Sequence, residues 1–493
     1  AVGQNALADN TTASDNTAVG RYALRLNTTG TSNTAVGSGS LDANTTGANN
    51  TSVGLGSLGA NTTGARNTAV GRVALENNTT GSDNTAVGKD ALEANTTANY
   101  NTGIGSRALH SNTTGQYNTA IGADSMMWNT TGETNTAVGY YSLGANSTGE
   151  QNVAVGQNCM GSNSTGHFNT AVGRSALHAN TTANHNTAIG YFTLDSNTTG
   201  AENTAVGANA LTSNTTASTG AAFGYNALES NTTGLRNNAF GGQSLKLNTT
   251  GTENNAFGTS ALGDNTTGNS NNAFGREALR VNTTGTKNSA FGHAALKANT
   301  TGTDNIAVGY RVLISNTTGN DNTAIGSDAG RDVSTGSNLT LLGHDAGRSN
   351  APTGSITTGS NIVCLGDNNV SDLYCADTSI SSSDKRDKTD IADFTHGLNW
   401  VNQLKPVTYR WDRRTWYDDL KPDGSKKRNK KHIGFLAQDV LAIEGNPSNK
   451  DDMLVVNLNE DNTAYGLKYE RLVPVLVNAI KELSAKVTAL EAK

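Results

Sequence analysis

Polar and apolar residues alternate in a short block, "NTAVG", that returns through most of the chain. Aligned on Gly20, the unit "NTAVGRYALRLNTTGTS" recurs with glycine at Gly3, Gly37, Gly54, Gly71, Gly88 and onward to Gly326 and Gly343. From 3 to 343 is 340 residues, or 20 steps of 17, without an insertion or deletion. Loops of globular domains drift in length. A stack whose coils must stay in register does not, so a fixed period of this size predicts a solenoid. Each repeat reads as two short extended segments separated by turns: the alternating NTAVG, and a second segment with one Leu. "NTTG" is the bend, because Asn tolerates the left-handed region. The framework glycine after Val is Gly in every copy, which predicts positive φ or no room for a side chain. The NTTG glycine gives way to Ala13, Ala98, Ala183 and Ala217, which predicts an ordinary φ there.

Seventeen extended residues have a contour of about 56 to 61 Å. A coil that narrow holds about one Val and one Leu besides Ala, too thin a core for a lone chain. Two terms add to it: ladders of stacked Asn and Thr, and burial of Val or Leu columns between identical solenoids. From Phe223 through Phe240, Phe257, Phe274 and Phe291 the residue before the framework glycine is Phe, not Val or Ile. In four of these five copies the Thr two residues earlier gives way to another polar residue, Asn238, Asn255, Asn272 and Ser289. Vertical contact between i and i+17 and recent duplication of one repeat both account for the block. At the strand spacing of about 4.8 Å, the 20 steps make a rod of about 96 Å. The period breaks after Gly343, and the next matching glycine, Gly366, follows 23 residues later. Residues 1–345 thus read as a shaft, 346–382 as a transition and linker, and 383–493 as a separate domain.

Hydrophobic residues make up 34 % and aromatics 5 % of the 493 residues, which excludes one thick globular core. The net charge of −6 gives no pull towards nucleic acid or anionic membranes. No apolar stretch has the length of a membrane span, so neither nucleic acid nor membrane insertion is expected. The cysteines Cys159, Cys364 and Cys375 form no staple framework, and Cys159, where other repeats carry Ala or Ser, reads as a small core residue. The chain opens inside a repeat without a signal-peptide pattern, which reads as a fragment lacking an upstream anchoring domain.

Aromatics gather at variable positions of the middle repeats: Tyr100, Tyr117, Trp128, Tyr140, Tyr141, Phe168, Tyr191 and Phe192. Exposed rings at regular levels can stack on sugars, and these are the candidate receptor contacts; scattered surface aromatics are the ordinary alternative. The Asn-Thr-Thr triplets match a glycosylation acceptor, but turn geometry explains them equally. The histidines share no metal-ligand spacing, no paired-carboxylate motif marks a glycosidase, and no metal or cofactor is expected.

From Ser383 the composition becomes that of a small α+β domain. "LNWVNQLKPVTYRWD" and "KHIGFLAQDVLAI" read as strands and a helix, and "KKRNKKH", 426–432, as a solvated basic loop between strands. After Pro474 the chain reads as helical. There Leu476, Ile480, Leu483, Val487 and Leu490 step by 4, 3, 4 and 3, the spacing of a coiled-coil seam. In order, "SDKRDKTDI", "LKPVTYRW", "HIGFLAQDV" and "YERLVPVLVNAIKEL" resemble the peptidase S74 domain, the intramolecular chaperone at the C-terminus of bacteriophage tail fibres and tailspikes. Asp387 departs from the family, which often has an apolar residue there. The repeats resemble those of phage fibres and, more loosely, the heads of trimeric autotransporter adhesins.

The resemblance implies a mainly β, trimeric fibre: a parallel β-solenoid of 17-residue coils followed by a chaperone that ends in a coiled-coil helix. It implies self-cleavage at Ser382–Ser383, with Ser383 as nucleophile and Lys388 as base. A serine hydroxyl needs such a base, and one chain carrying both nucleophile and target replaces substrate binding by orientation. Three consecutive serines leave the bond open by one residue. It further implies a homotrimer folded in the host cytoplasm, attached to a virion tail or baseplate protein through an N-terminal region, and meeting host surface polysaccharide or protein. A bacterial trimeric surface adhesin or injection-system fibre is the alternative. A depolymerase with its catalytic part elsewhere is a third reading.

Overall fold

The computed structural model describes residues 1–370, 383, 385–417, 419–459 and 464–492, in two units, Ala1–Asn305 and Ile306–Lys493. In the first unit each coil contributes one strand of three residues, from β1 (Thr17–Val19) to β17 (Ser289–Phe291). Neighbouring strands are parallel, and their register is the repeat itself. Thr17 lies opposite Thr34, Ala18 opposite Ala35 and Val19 opposite Val36. Phe274 likewise lies opposite Phe291.

Alternation with period two decides what each strand residue faces. The central Ala points in and is fully buried, as at Ala18, Ala35, Ala69 and Ala120. The flanking Thr and Val point out, so the coil interior holds Ala and Leu and not the expected Val. Space is the reason. At Gly103, which replaces the central Ala, an added Cβ would lie only 3.3 Å from the Leu92 side chain. Beside that leucine the position has little room beyond a methyl group. The outward Val, Ile and Phe form a column of their own, and Val19, Val36, Ile121, Ile189 and Phe291 keep 37–40 % of their surface.

The framework glycines have the positive φ their invariance predicts, +133° at Gly20 and +136° at Gly105. A Cβ on Gly105 would stand 2.4 Å from the carbonyl oxygen of Gly122 in the next coil. The NTTG glycines such as Gly30 stay outside the positive-φ region, as their replacement by Ala implies. Three further positions per coil enter it, and in most coils all three are non-glycine. After Gly20 they are Tyr22 (63°), Leu24 (52°) and Ser32 (59°). Leucine in this region costs about 1–2 kcal/mol. Burying its side chain returns about 1.5–3 kcal/mol, and its N–H still finds a partner: Leu24 donates to the Ser40 carbonyl at 3.0 Å.

In most coils two buried asparagines form the expected ladders. Asn44 Nδ2 donates to Asn27 Oδ1 at 2.8 Å and to the Gly47 carbonyl at 2.9 Å. In the second ladder the Asn50 backbone N–H donates to Asn33 Oδ1 at 2.9 Å, and Asn50 Nδ2 to the Gly64 carbonyl at 2.9 Å. Threonine adds a third, with Thr28 Oγ1 donating to the Thr45 carbonyl at 3.0 Å. From Asn27 on, the NTT asparagines are therefore buried and bonded, which removes them as glycan acceptors in the folded coil. Cys159 is buried as expected, with Sγ donating to the Ala171 carbonyl, and burial pushes its thiol up to about 12.

The second unit begins with the same design: β18 (Ile306–Val308), β19 (Thr323–Ile325) and β20 (Thr340–Leu342). One further strand, β21 (Val363–Leu365), pairs with β20 in parallel, Thr340 opposite Val363. The segment expected as a transition thus contains a last, 23-residue coil. The remainder is α+β. Its elements are α1 (Leu398–Val401), the antiparallel pair β22 (Val407–Tyr409) and β23 (His432–Gly434), and α2 (Ala437–Ile443), then the antiparallel pair β24 (Val456–Leu458) and β25 (Tyr465–Leu467), and α3 (Leu472–Glu491). Trp400, Val440, Met453, Val455, Val456, Leu472 and Val475 form its core. Helix α3 starts two residues before Pro474, which sits in the first turn where its missing N–H costs nothing. The seam residues Leu476, Ile480, Leu483, Val487 and Leu490 are all exposed on the single chain.

Candidate active site

The segment Lys385–Asp387 forms one turn of 3-10 helix, closed by the Lys388 N–H donating to the Lys385 carbonyl at 3.3 Å. That turn folds the chain back and brings the two candidate catalytic side chains together. Lys388 Nζ donates to Ser383 Oγ at 2.7 Å. Both residues are exposed. Ser382, on the other side of the expected scissile bond, lies outside the described residues, as does Cys375.

The chain that leaves this pair is held by α3. Asn478 Nδ2 donates to the carbonyls of Phe394 at 2.6 Å and His396 at 3.3 Å, and the Leu398 N–H donates to Glu482 Oε2 at 3.1 Å. Gly397 leaves room for the Glu482 carboxylate, which a Cβ there would strike. The anchoring residues Asn478 and Glu482 alternate along α3 with the seam residues Leu476, Ile480 and Leu483. No motif signalled this link, because the paired positions are more than eighty residues apart in sequence.

The basic loop joins β22 and β23, as its composition predicts, and part of it is engaged within the second unit. Arg428 Nη2 donates to the Asn369 carbonyl at 3.1 Å and lies over the Trp416 ring at 5.0 Å. Arg413 bonds Asn368 and stacks on Trp411 at 4.3 Å. Burial first, and the Arg428 charge second, pull the Arg413 guanidinium below its ordinary pKa.

The shaft aromatics fall into pairs and not into one stripe. Tyr100 and Tyr117 stack with centroids 5.1 Å apart, and Tyr191 meets Phe192 edge-on at 4.3 Å. Tyr140 and Tyr141 tilt against each other at 6.4 Å, and Phe168 stacks on His185 at 5.0 Å. Tyr141 and Phe192 are half-buried and the other six candidates are exposed. Trp128 stands six positions after its framework glycine, in a column different from the rest.

Among the described residues one group has the donors and spacing for a metal ion: His344, Asp345 and Asp367. Its carboxylates already take hydrogen bonds. Asn350 Nδ2 donates to Asp345 at 2.7 Å, and the Asn369 N–H and Nδ2 each donate to Asp367 at 2.9 Å. Burial raises the Asp345 carboxyl, but the hydrogen bonds from Arg348 and Asn350 and the Arg348 charge outweigh it and leave the pKa lowered.

Comparison with known proteins bears on the C-terminal region. Residues 383–448 match the Peptidase S74 family model, the chaperone of endosialidase, and the match opens on Ser383. No curated protein matches the chain. A parallel β-solenoid joined in one chain to a region similar to the chaperone of endosialidase makes this a fibre-like protein whose C-terminal domain implies trimer formation.

Proposed function

We propose that the protein is the shaft of a bacteriophage tail fibre or tailspike. It assembles as a homotrimer under the direction of its C-terminal domain and cuts itself between Ser382 and Ser383. The observation that carries the reading is the 2.7 Å contact between Lys388 Nζ and Ser383 Oγ. In that contact the ammonium donates. Once it has lost its proton the amine accepts, and the same geometry serves to deprotonate the hydroxyl.

Ser383 follows the bond it attacks. Its Oγ reaches the Ser382 carbonyl through a five-membered ring, the C–N bond breaks, and the Ser383 nitrogen takes the proton that Lys388 had accepted. The resulting ester is hydrolysed by water. This leaves a carboxylate on Ser382 and restores the Ser383 hydroxyl. Desolvation favours a neutral lysine, so covering this exposed pair during assembly supplies the trigger. Cleavage then follows trimerisation, and the shaft is held kinetically because its aligning domain is gone.

The test is Ser383→Ala in the full chain, followed by denaturing electrophoresis and N-terminal sequencing of the small fragment. The native chain yields a fragment beginning at Ser383 and the variant stays full length. A cut product from the variant removes Ser383 as the nucleophile.

A further inference from the structure

The repeats serve as an alignment of the molecule with itself. Positions one residue after the framework glycine drift freely: Arg21, Ser38, Leu55, Arg72, Lys89, Tyr140, Gln157 and Gly242 occupy the same site in different coils. That is how a solvated position behaves. The position one residue before the glycine is just as outward-facing, yet it never drifts. In β1 to β17 it is Val, Ile or Phe without exception, and its neighbour on the same face is Thr, Val, Ala, Asn or Ser, never a charge. An uncharged sheet face with an unbroken apolar column, running the length of a unit, is a surface made to be covered. The one occupant that matches it level for level is another copy of the same chain. The exposed seam of α3 and the trimer formation implied by the C-terminal domain point to the same occupant. This rests on the trimeric shaft of the preceding section and extends it.

Identical coils pose a difficulty for such packing, since a slip of one coil restores every contact except those at the ends. The phenylalanine block breaks this degeneracy. Phe223, Phe240, Phe257, Phe274 and Phe291 stack face to face with centroids 4.6–4.9 Å apart. Beside them Asn238 Nδ2 donates to Asn255 at 2.8 Å and Asn255 Nδ2 to Asn272 at 2.9 Å. The block is thus one rigid, wider segment of the otherwise aliphatic face, and it begins abruptly where Phe223 follows Val206. We propose that this stack is a register key: copies of the chain pack through the outward strand face, and level alignment is set by ring meeting ring. A slip of one coil would place a ring against Val206 of a neighbour and leave a ring-sized gap at the other end of the block.

The test uses co-expressed full chains with different N-terminal affinity tags. In one chain the coil 309–325 is duplicated, which adds 17 residues between the block and the C-terminal domain. Its phenylalanines are then displaced by one coil relative to that domain. Each chain alone should assemble, but mixed assemblies should fall about tenfold below the statistical share, since each mismatch in a packed interface is costly. Replacing all five phenylalanines by valine in both chains should restore mixing. Duplicating the coil 106–122, on the other side of the block, should leave mixing unaffected.

The face itself is read by cysteines placed in a Cys375→Ser chain. Ile121→Cys, on the outward column, should give interchain disulfides, and Thr131→Cys, on the exposed turn, should not. Free mixing of the displaced chain with the native one, or continued exclusion after the valine replacement, overturns the key. Disulfides through Thr131→Cys and none through Ile121→Cys overturn the face. Both tags stay on the shaft whether or not cleavage occurs, so a failure of self-cutting is read separately.

Discussion

At the residue scale the coil depends on side chains that bond the coils on either side. Asn112 is one. Its Nδ2 donates to Asn95 Oδ1 and to the Gly115 carbonyl, both at 3.0 Å, while its own Oδ1 accepts from Asn129 at 2.8 Å. Asn112→Ala leaves the Asn95 acceptor and the Asn129 donor buried and short of a partner. The expected loss is about 1–3 kcal/mol for each group left unsatisfied, read as a lowered midpoint in denaturant unfolding. The same change at Thr131, which is exposed, should leave the midpoint close to native. These asparagines were legible in the sequence because turn chemistry and ladder formation both require them. The left-handed leucines were not. Leucine has no local preference for that region, and only the packed coil around Leu24 or Leu109 makes its burial outweigh the strain. The choice of Ala over Val for the coil interior is hidden in the sequence for a related reason. Alternation reveals two faces but not which of them is inside.

At the scale of elements, α3 has two duties on neighbouring residues. Asn478 and Glu482 hold the segment 394–398, which lies a few residues after Lys388, and Ile480 and Leu483 belong to the exposed seam. Ile480→Glu should leave the helix intact in each chain, since the side chain is solvated there, and weaken association. Light scattering of the Ser383→Ala, Ile480→Glu chain should show a shift from trimer towards monomer at micromolar concentration. An unchanged trimer would mean that the seam is not an interface. The heptad spacing was visible in the sequence, but the tether to 394–398 was not, because a hydrogen bond over such a separation leaves no local pattern. The serine and lysine were visible only through the motifs around them. Five residues of spacing do not by themselves foretell the 3-10 turn that brings Lys388 to Ser383.

At the scale of the whole molecule, repetition sets which changes of length are allowed. Removing 106–122 deletes one complete coil and rejoins Gly105 to Ala123, so every ladder re-forms one step down. Removing only 106–113 puts framework glycines opposite side chains, where a Cβ would meet the next coil at about 2.4 Å, as at Gly105. The full-coil deletion should express as a folded shaft with near-native thermal unfolding. The half-coil deletion should unfold earlier and expose a protease site near residue 105. Equal behaviour of the two would deny that register is the organising constraint. The period could be read from sequence because steric exclusion at each glycine forbids drift, and the extra 23-residue coil could not, because it keeps the strand but not the spacing.

The ladders that join coil to coil also decide how the shaft answers force. Strand and side-chain hydrogen bonds alike connect a coil to its two neighbours, so a pull along the stack loads them in series. A coil that peels away surrenders about 4.8 Å of stacked height and releases about 56–61 Å of slack chain. Tension along such a stack is therefore taken up by releasing chain one turn at a time.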